Sequence, residues 1–223
     1  MEIQNNNQSK PLSEDELTQA LLQRKITRDH FRFPLSVADA VRLLKAAFRA
    51  EVGYRQREYV ESELINGYIE RLARLLTADR GKFGIMLCGT CGNGKTTMLY
   101  AFQAAVNFLN DRGMFPERTG IRIIPAREIA LKASDVKATK EIKSLPMLAI
   151  EDMGTESAEV LSYGNVFNPV DDVISFRYDR QLFTFITSNL TPKEIRERYG
   201  DRIADRFNEM LHVIVFEGKS FRN

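Results

Sequence analysis

Residues Gly89 to Thr96 read GTCGNGKT, a short stretch that restricts the fold of this chain more than any other. Gly89, Gly92 and Gly94 let the backbone turn tightly and aim its N–H groups inward, where side chains would block an anion. In front stands FGIMLC, Phe83 to Cys88, an apolar run ending at a glycine, which predicts a buried strand. Behind it, Met98, Ala101, Phe102, Ala105 and Leu109 are spaced as one face of a helix. Strand, glycine loop and helix, with the spacing G-x-x-x-x-G-K-[S/T], predict a cradle for the phosphates of a nucleoside triphosphate. Lys95 would reach the β and γ phosphates, the Thr96 hydroxyl would hold Mg²⁺, and Thr90, Cys91, Asn93 and Thr97 complete the stretch around them. The N-terminus of the following helix adds its partial positive charge.

A chain of 223 residues can bury one α/β core with a small helical appendage. Charged residues make up 28% and the formal net charge is +2, so composition speaks for a soluble globular protein and neither demands nor excludes a nucleic-acid partner. The sequence shows no signal-peptide pattern and no long apolar span; a cytoplasmic protein without membrane contact is expected. Its two cysteines, Cys88 and Cys91, form a C-x-x-C, which could be a redox pair or half a zinc site. Cys91, however, lies inside the phosphate loop, so Cys88 is read as a small buried strand residue.

The other elements follow in order. Met1 to Lys10 is polar and aperiodic, a frayed terminus. Ser13 with Glu16 forms a capping box before a short helix whose apolar side is Leu17, Ala20 and Leu21. Phe31, Phe33 and Pro34 interrupt. A helix from Ser36 places Val37, Val41, Leu44 and Phe48 inward, with Arg42, Lys45 and Arg49 as a solvated face or a nucleic-acid stripe. A longer helix from about Arg57 to Leu76 would turn Val60, Leu64, Tyr68, Leu72 and Leu75 or Leu76 inward. Residues 1–80 therefore read as a helical extension, and 81–223 as the nucleotide domain.

Beyond the phosphate-loop helix, strands are predicted at Ile121 to Ile124, Met147 to Ile150, Leu182 to Thr187 and Val213 to Phe216, with short helices at Ala126 to Lys132, Asn168 to Arg180 and Thr191 to Tyr199. Gly154 to Val170 reads as a mobile loop. Gly200 separates Tyr199 from a last helix, DRIADRFNEM. Alternating strands and helices imply a parallel sheet covered on both faces, with its ligand at the carboxyl ends of the strands. Glu151 with Asp152, and Ser188 with Asn189, fall at such ends. An acid pair about 55 residues beyond a phosphate loop suits one carboxylate for Mg²⁺ and one for the attacking water.

GTCGNGKT, MLAIEDMG, FITSNL, GDRIADRF and the closing GKSFR, in this order and spacing, resemble the AAA+ ATPases of the helicase-loader type, the DnaC/IstB-like group. The resemblance covers about Phe83 to Arg222. It implies a P-loop three-layer sandwich with a parallel five-stranded sheet, and an AAA+ domain without a C-terminal lid, since the chain closes about seven residues after its last predicted strand. It places Lys95 and Thr96 as the Walker A phosphate and Mg²⁺ ligands, with Gly94 and Thr97 alongside. Glu151 matches the Walker B acid that holds Mg²⁺, Asp152 the water-activating acid, and Asn189 the sensor that reads the γ-phosphate. Arg206 looks like the arginine finger supplied to a neighbour's site, with Arg202 in reserve. Members commonly place Asp first in the acid pair; here Glu151 comes first.

The function implied is that of an ATP-dependent loader that self-assembles, engages a replicative helicase through its helical N-terminal region and binds single-stranded DNA. An IstB-like helper of a DNA transposase fits the same motifs. A small-molecule kinase would leave the DRF and TSN motifs unexplained, and the inverted acid pair keeps open a nucleotide-dependent adaptor that hydrolyses little.

Overall fold

Every residue of β1 (Gly84–Gly89) is buried, as the run FGIMLC requires of a strand covered on both faces. The computed structural model, which describes residues 13–23, 30–78, 81–157, 160–162 and 165–217, sets β1 between β6 (Phe183–Ser188) and β7 (Leu211–Phe216). With β3 (Met147–Met153) and β2 (Arg122–Pro125) the sheet runs β2-β3-β6-β1-β7, and every pairing is parallel. All five predicted strands are present, β3 reaching past its apolar part through Glu151 and Asp152.

Alternation along the strands divides the core in two. Ile85 and Leu87 share one face with Ala149, Phe183, Phe185, Ile214 and Phe216, beneath α2 (Val37–Tyr54), α3 (Glu63–Thr77) and α4 (Lys95–Asp111). Met86 and Cys88 share the other with Leu148, Ile150 and Ile186, beneath α5 (Ala126–Leu131), α6 (Val136–Ser144), α7 (Pro169–Asp179) and α8 (Pro192–Met210). The result is helices, parallel sheet, helices: a three-layer sandwich. Among the described residues, no helix is long and apolar enough to cross a membrane.

Helix starts follow their caps. Ser36 and Ser62 accept from the N–H groups of Asp39 and Ile65 at 3.1 and 3.4 Å, Asn168 accepts from Val170 and Asp171, and Thr191 with Glu194 forms the predicted capping box. Gly200, at φ 81°, breaks α8 where the separation was expected.

Other expectations need correction. The third helix starts at Glu63 rather than Arg57, which rotates its inward face: Ile65, Ile69, Leu72, Ala73 and Leu76 are buried, while Val60 is 74% exposed. Leu64 is exposed as well, and Tyr68 covers the core only in part. In α2, Ala40, Leu44, Ala47 and Phe48 carry the packing and Val37 faces solvent. The capping box at Ser13 and Glu16 opens α1 (Glu14–Gln23) as expected, yet Leu17 and Leu21 lie exposed and no residue of α1 is buried. Within the segment read as a loop from Gly154 to Val170, β4 (Val160–Ser162) pairs antiparallel with β5 (Asn165–Phe167). Helix α6 was not foreseen at all. The basic stripe is a solvated face, as one of its two readings had it, with its charges paired: Arg42 bonds Asp39, and Lys45 and Arg49 share the Glu61 carboxylate at 2.5 and 2.9 Å. The bonds from Lys45 first, then Asn66 and Arg49, hold the Glu61 pKa down at about 2. Met1–Lys10 and the GKSFR segment lie outside the described residues.

Phe31 and Phe33, which interrupt the sequence pattern, serve as core. Phe31 meets Phe183 at 4.9 Å between ring centroids, Phe33 stacks on Phe102 at 5.9 Å, and Phe102 stacks on Phe185 at 5.1 Å. Phe102, fully buried, joins the residues before α2 to α4 and the sheet. Its truncation leaves a cavity that an aromatic cluster cannot close. Phe102→Ala is expected to lower stability by about 3–5 kcal/mol. Phe108→Ala, on the exposed side of the same helix, should stay within about 0.5 kcal/mol. Urea denaturation of both variants measures the contrast.

Candidate functional site

Gly89 ends β1 at φ 123°. A Cβ there would stand 2.1 Å from the Phe216 carbonyl oxygen, so only glycine lets β1 and β7 pair to their ends. The buried Asn93 side chain donates to that same oxygen at 2.7 Å and to Thr90 Oγ1 at 3.3 Å. Its Oδ1 accepts from Lys95 Nζ at 3.1 Å. Lys95 also donates to the carbonyls of Gly89 and Thr90, at 2.9 and 2.7 Å. The loop thus closes around the ammonium of Lys95, and Gly92 and Gly94 carry it, at φ 83° and 94°, into the N-terminus of α4.

Behind the loop lies the acid pair. The Thr96 hydroxyl lies beside Glu151, and Tyr100 donates to Glu151 Oε2 at 3.5 Å. Burial pushes the Glu151 pKa up and the neighbouring Asp152 carboxylate pushes it further, against the Tyr100, Arg55 and Thr96 contacts that lower it. A half-buried carboxylate destabilised by another is one that a divalent cation relieves. Asp152 adopts φ 51°, left-handed for a residue with a Cβ. It sits where the β3–β6 register shifts between Ile150 and Met153, a bulge that re-aims successive side chains. Thr187 Oγ1 accepts the Asp152 N–H at 3.0 Å, and Ser188 Oγ donates to the Met153 carbonyl at 2.6 Å. Two members of the TSN motif therefore hold the acid turn, leaving the third, Asn189, exposed beside it.

One cavity of about 600 Å³ gathers most of the predicted residues. Cys91, Gly92, Asn93, Gly94, Lys95, Thr96, Thr97, Asp152 and Asn189 line it. Gly89 and Thr90 shape the loop, and Glu151 stands behind Thr96 without forming the wall. The opposite wall was missed by sequence reasoning. It comes from α2, from α3 and from the turn between them: Phe48, Val52, Tyr59, Val60 and Ile65, with Arg55, Arg57 and Glu58. These residues lie 24 or more positions from the loop in sequence, and only the packing of α2 on α4 and on α3 brings them there. An apolar wall opposite a phosphate cradle suits a planar base. The helix N-terminus, the ammonium and the hydroxyl beside a carboxylate fit a triphosphate with Mg²⁺, which takes one or two protein oxygens and completes its shell with phosphate and water.

Arg206 lies outside the cavity. It donates to Ser175 Oγ on α7, approaches Asp179 at 3.9 Å and sits 5.2 Å from the centroid of the Tyr178 ring, its side chain 12% exposed. Arg202, one turn earlier, is exposed. Cys88 is buried and Cys91 exposed, both as free thiols, and burial raises the Cys88 pKa. Among the described residues, no group of three or more His, Cys, Asp or Glu side chains could hold a metal ion.

No family model matches the chain, and no curated protein does either. Solved structures do. The chain is similar to the DnaC helicase loader, with a TM-score of 0.54 at 20% identity over 72% of this chain and 94% of that one. It is similar to DnaI, at 0.53 and 20% over 80% and 93%, and to AMPPCP-bound DnaA from Aquifex aeolicus, at 0.51 and 18% over 71% and 48%. It thus spans about half the DnaA chain. At these identities the likeness concerns architecture: the chain has the AAA+ P-loop fold of these replication proteins.

Proposed function

We propose that the chain binds and hydrolyses ATP with Mg²⁺ and acts as a loader of a replicative helicase, assembling with further copies of itself and binding single-stranded DNA. The observation that carries the nucleotide reading is the one cavity lined by the phosphate loop, Asp152 and Asn189, with Glu151 beside Thr96 behind it. The loader reading is supported by the fold shared with DnaC and DnaI together with the TSN and DRF motifs. Helices α2 and α3 wall the cavity, so partner docking falls to α1, whose leucines are uncovered.

In this reading Lys95 and the N–H groups at the start of α4 hold the β and γ phosphates. Thr96 and Glu151 hold Mg²⁺, which when bound neutralises charge on the β and γ oxygens. Asp152 orients the attacking water and takes its proton as the water oxygen bonds to the γ-phosphorus; the bond to the β,γ-bridging oxygen breaks, and ADP leaves with that electron pair. Asn189 hydrogen-bonds the γ-phosphoryl group. The missing positive charge comes from a neighbouring copy, through Arg206. Arg206 must leave Ser175 and Asp179 to reach a neighbour, whereas Arg202 is free of that requirement.

Four outcomes test the reading. Lys95→Ala should abolish stabilisation by ATP and Mg²⁺, which at a hundredfold excess over Kd is about 2.7 kcal/mol, or about 5–10 °C in melting temperature; an unchanged shift defeats the proposal. Asp152→Asn should retain ATP without turning it over, while Glu151→Gln should lose the metal dependence of binding, and the opposite pattern would exchange their roles. ATPase activity should rise with protein concentration, and further with single-stranded DNA. A finger supplied in trans is worth about 10³–10⁵ in rate, so Arg206→Ala should flatten the concentration dependence with binding intact. Loss in Arg202→Ala alone would move the finger to that residue. Co-purification with a transposase rather than a replicative helicase would replace the loader by a transposase helper.

A further inference from the structure

The end of α2 brings a cation to the nucleotide cavity that no motif announces. Arg55 lines the cavity together with Lys95, Thr96, Asp152 and Asn189. Its guanidinium carbon lies 5.6 Å from the centroid of the Tyr100 ring, and Tyr100 is the residue that donates to Glu151. Arg55 therefore stands at the metal side of the site, where Thr96 and Glu151 meet. The position is built. Arg55 N–H donates to the Glu51 carbonyl at 3.2 Å, Arg57 N–H to the Val52 carbonyl at 3.2 Å, and Gln56 between them takes φ 55°, ending the helix in a left-handed residue without glycine.

The side chain is held by a single carboxylate. Arg55 Nε donates to Glu51 Oε1 at 2.8 Å, the two side chains being 35% and 15% exposed. A phosphoryl oxygen would replace this carboxylate as the anionic acceptor of the guanidinium. Arg57 and Glu58, which follow on the same wall, carry opposite charges.

We propose that Arg55 reads the terminal phosphate from within the same chain, exchanging its pairing with Glu51 for the γ-phosphoryl oxygens of a bound nucleoside triphosphate. The loop N–H groups and Lys95 serve di- and triphosphates alike. Arg55 gains an acceptor only when the third phosphate is present. It is a specificity-determining residue for triphosphate over diphosphate, and because it sits at the end of α2, the state of the nucleotide reaches the turn 55–62 and the start of α3. The proposal rests on the nucleotide-binding reading above.

The test is equilibrium binding of ATP and ADP, each with Mg²⁺, to the full chain by calorimetry. A charge-assisted hydrogen bond is worth at least a factor of about ten. Arg55→Ala should weaken ATP by about tenfold and ADP by less than about twofold, and Arg55→Lys should recover part of the loss by returning the charge. Glu51→Gln, which frees the guanidinium, should bind ATP as tightly as the unaltered protein or more so. Equal losses for ATP and ADP in Arg55→Ala would overturn the proposal. So would a loss of ATP binding in Glu51→Gln matching that in Arg55→Ala, since Arg55 would then serve only to finish the helix. Lys95→Ala separates the two readings: if it leaves both nucleotides bound, the nucleotide site itself is wrong, whereas if it removes both while Arg55→Ala leaves the ATP to ADP ratio unchanged, only the role of Arg55 falls.

Discussion

The Phe216 carbonyl at the end of β7 accepts the Asn93 amide at 2.7 Å and stands where a Cβ on Gly89 would be, so the phosphate loop and the edge strand of the sheet share one fixed point. That point is held in turn by α3. Tyr68 stacks on the Phe216 ring at 4.1 Å, its hydroxyl accepts the Glu217 N–H at 2.7 Å, and Arg71 donates to the Val213 carbonyl at 2.8 Å. The same helix supplies Ile65 to the cavity wall. Helix α3 thus acts on the site twice, once by fixing β7 beneath the loop and once by facing the space above it. A change in α3 that loosened Tyr68 would be felt at Asn93 before any residue of the loop had been altered.

The second fixed point is the carboxyl end of β3. A regular parallel strand would turn Glu151 and Asp152 to opposite faces. The bulge between Ile150 and Met153, with Asp152 at φ 51°, breaks that alternation, so that Glu151 reaches Thr96 while Asp152 lines the cavity. Such a conformation costs of order 1–3 kcal/mol in a residue other than glycine, and it persists because Thr187 and Ser188 hold both sides of it. Two strand-end hydroxyls that look like ordinary polar punctuation are the reason the acids point as they do.

How much of this was legible divides along physical lines. The three inner strands could be read because each is a short apolar run, largely buried on both faces, ended by a glycine, an acid pair or a polar pair, and the edge strand β2 because Pro125 ends it. The loop residues could be read because backbone geometry and phosphate chemistry restrict them tightly. The face of α3 could not. Val60, Leu64, Tyr68 and Leu72 keep helical spacing as well as Ile65, Ile69, Leu72 and Leu76 do, and the choice rests on the Ser62 cap, which starts the helix after Val60. The apolar wall was hidden for another reason: Phe48, Val52 and Tyr59 have ordinary core spacing, and only the contact of α2 with α4 turns them toward the cavity. Arg55 gives no sequence signal, being one more arginine near a helix end.

The position of α8 follows from one more buried group. Glu156, its side chain fully buried, accepts the Gly154 N–H at 2.8 Å and the Tyr199 hydroxyl, while Arg198 donates to its carbonyl. The turn that follows Asp152 is therefore bonded to the first half of α8, just ahead of the break at Gly200. Beyond the break, Arg206 is bonded to α7 and Arg202 is free of such contacts. With φ 81° at Gly200 the helix changes direction there, so that Tyr199 ahead of the break meets the acid turn while Ile203, Phe207 and Met210 beyond it are buried in the core on the same side of the sheet.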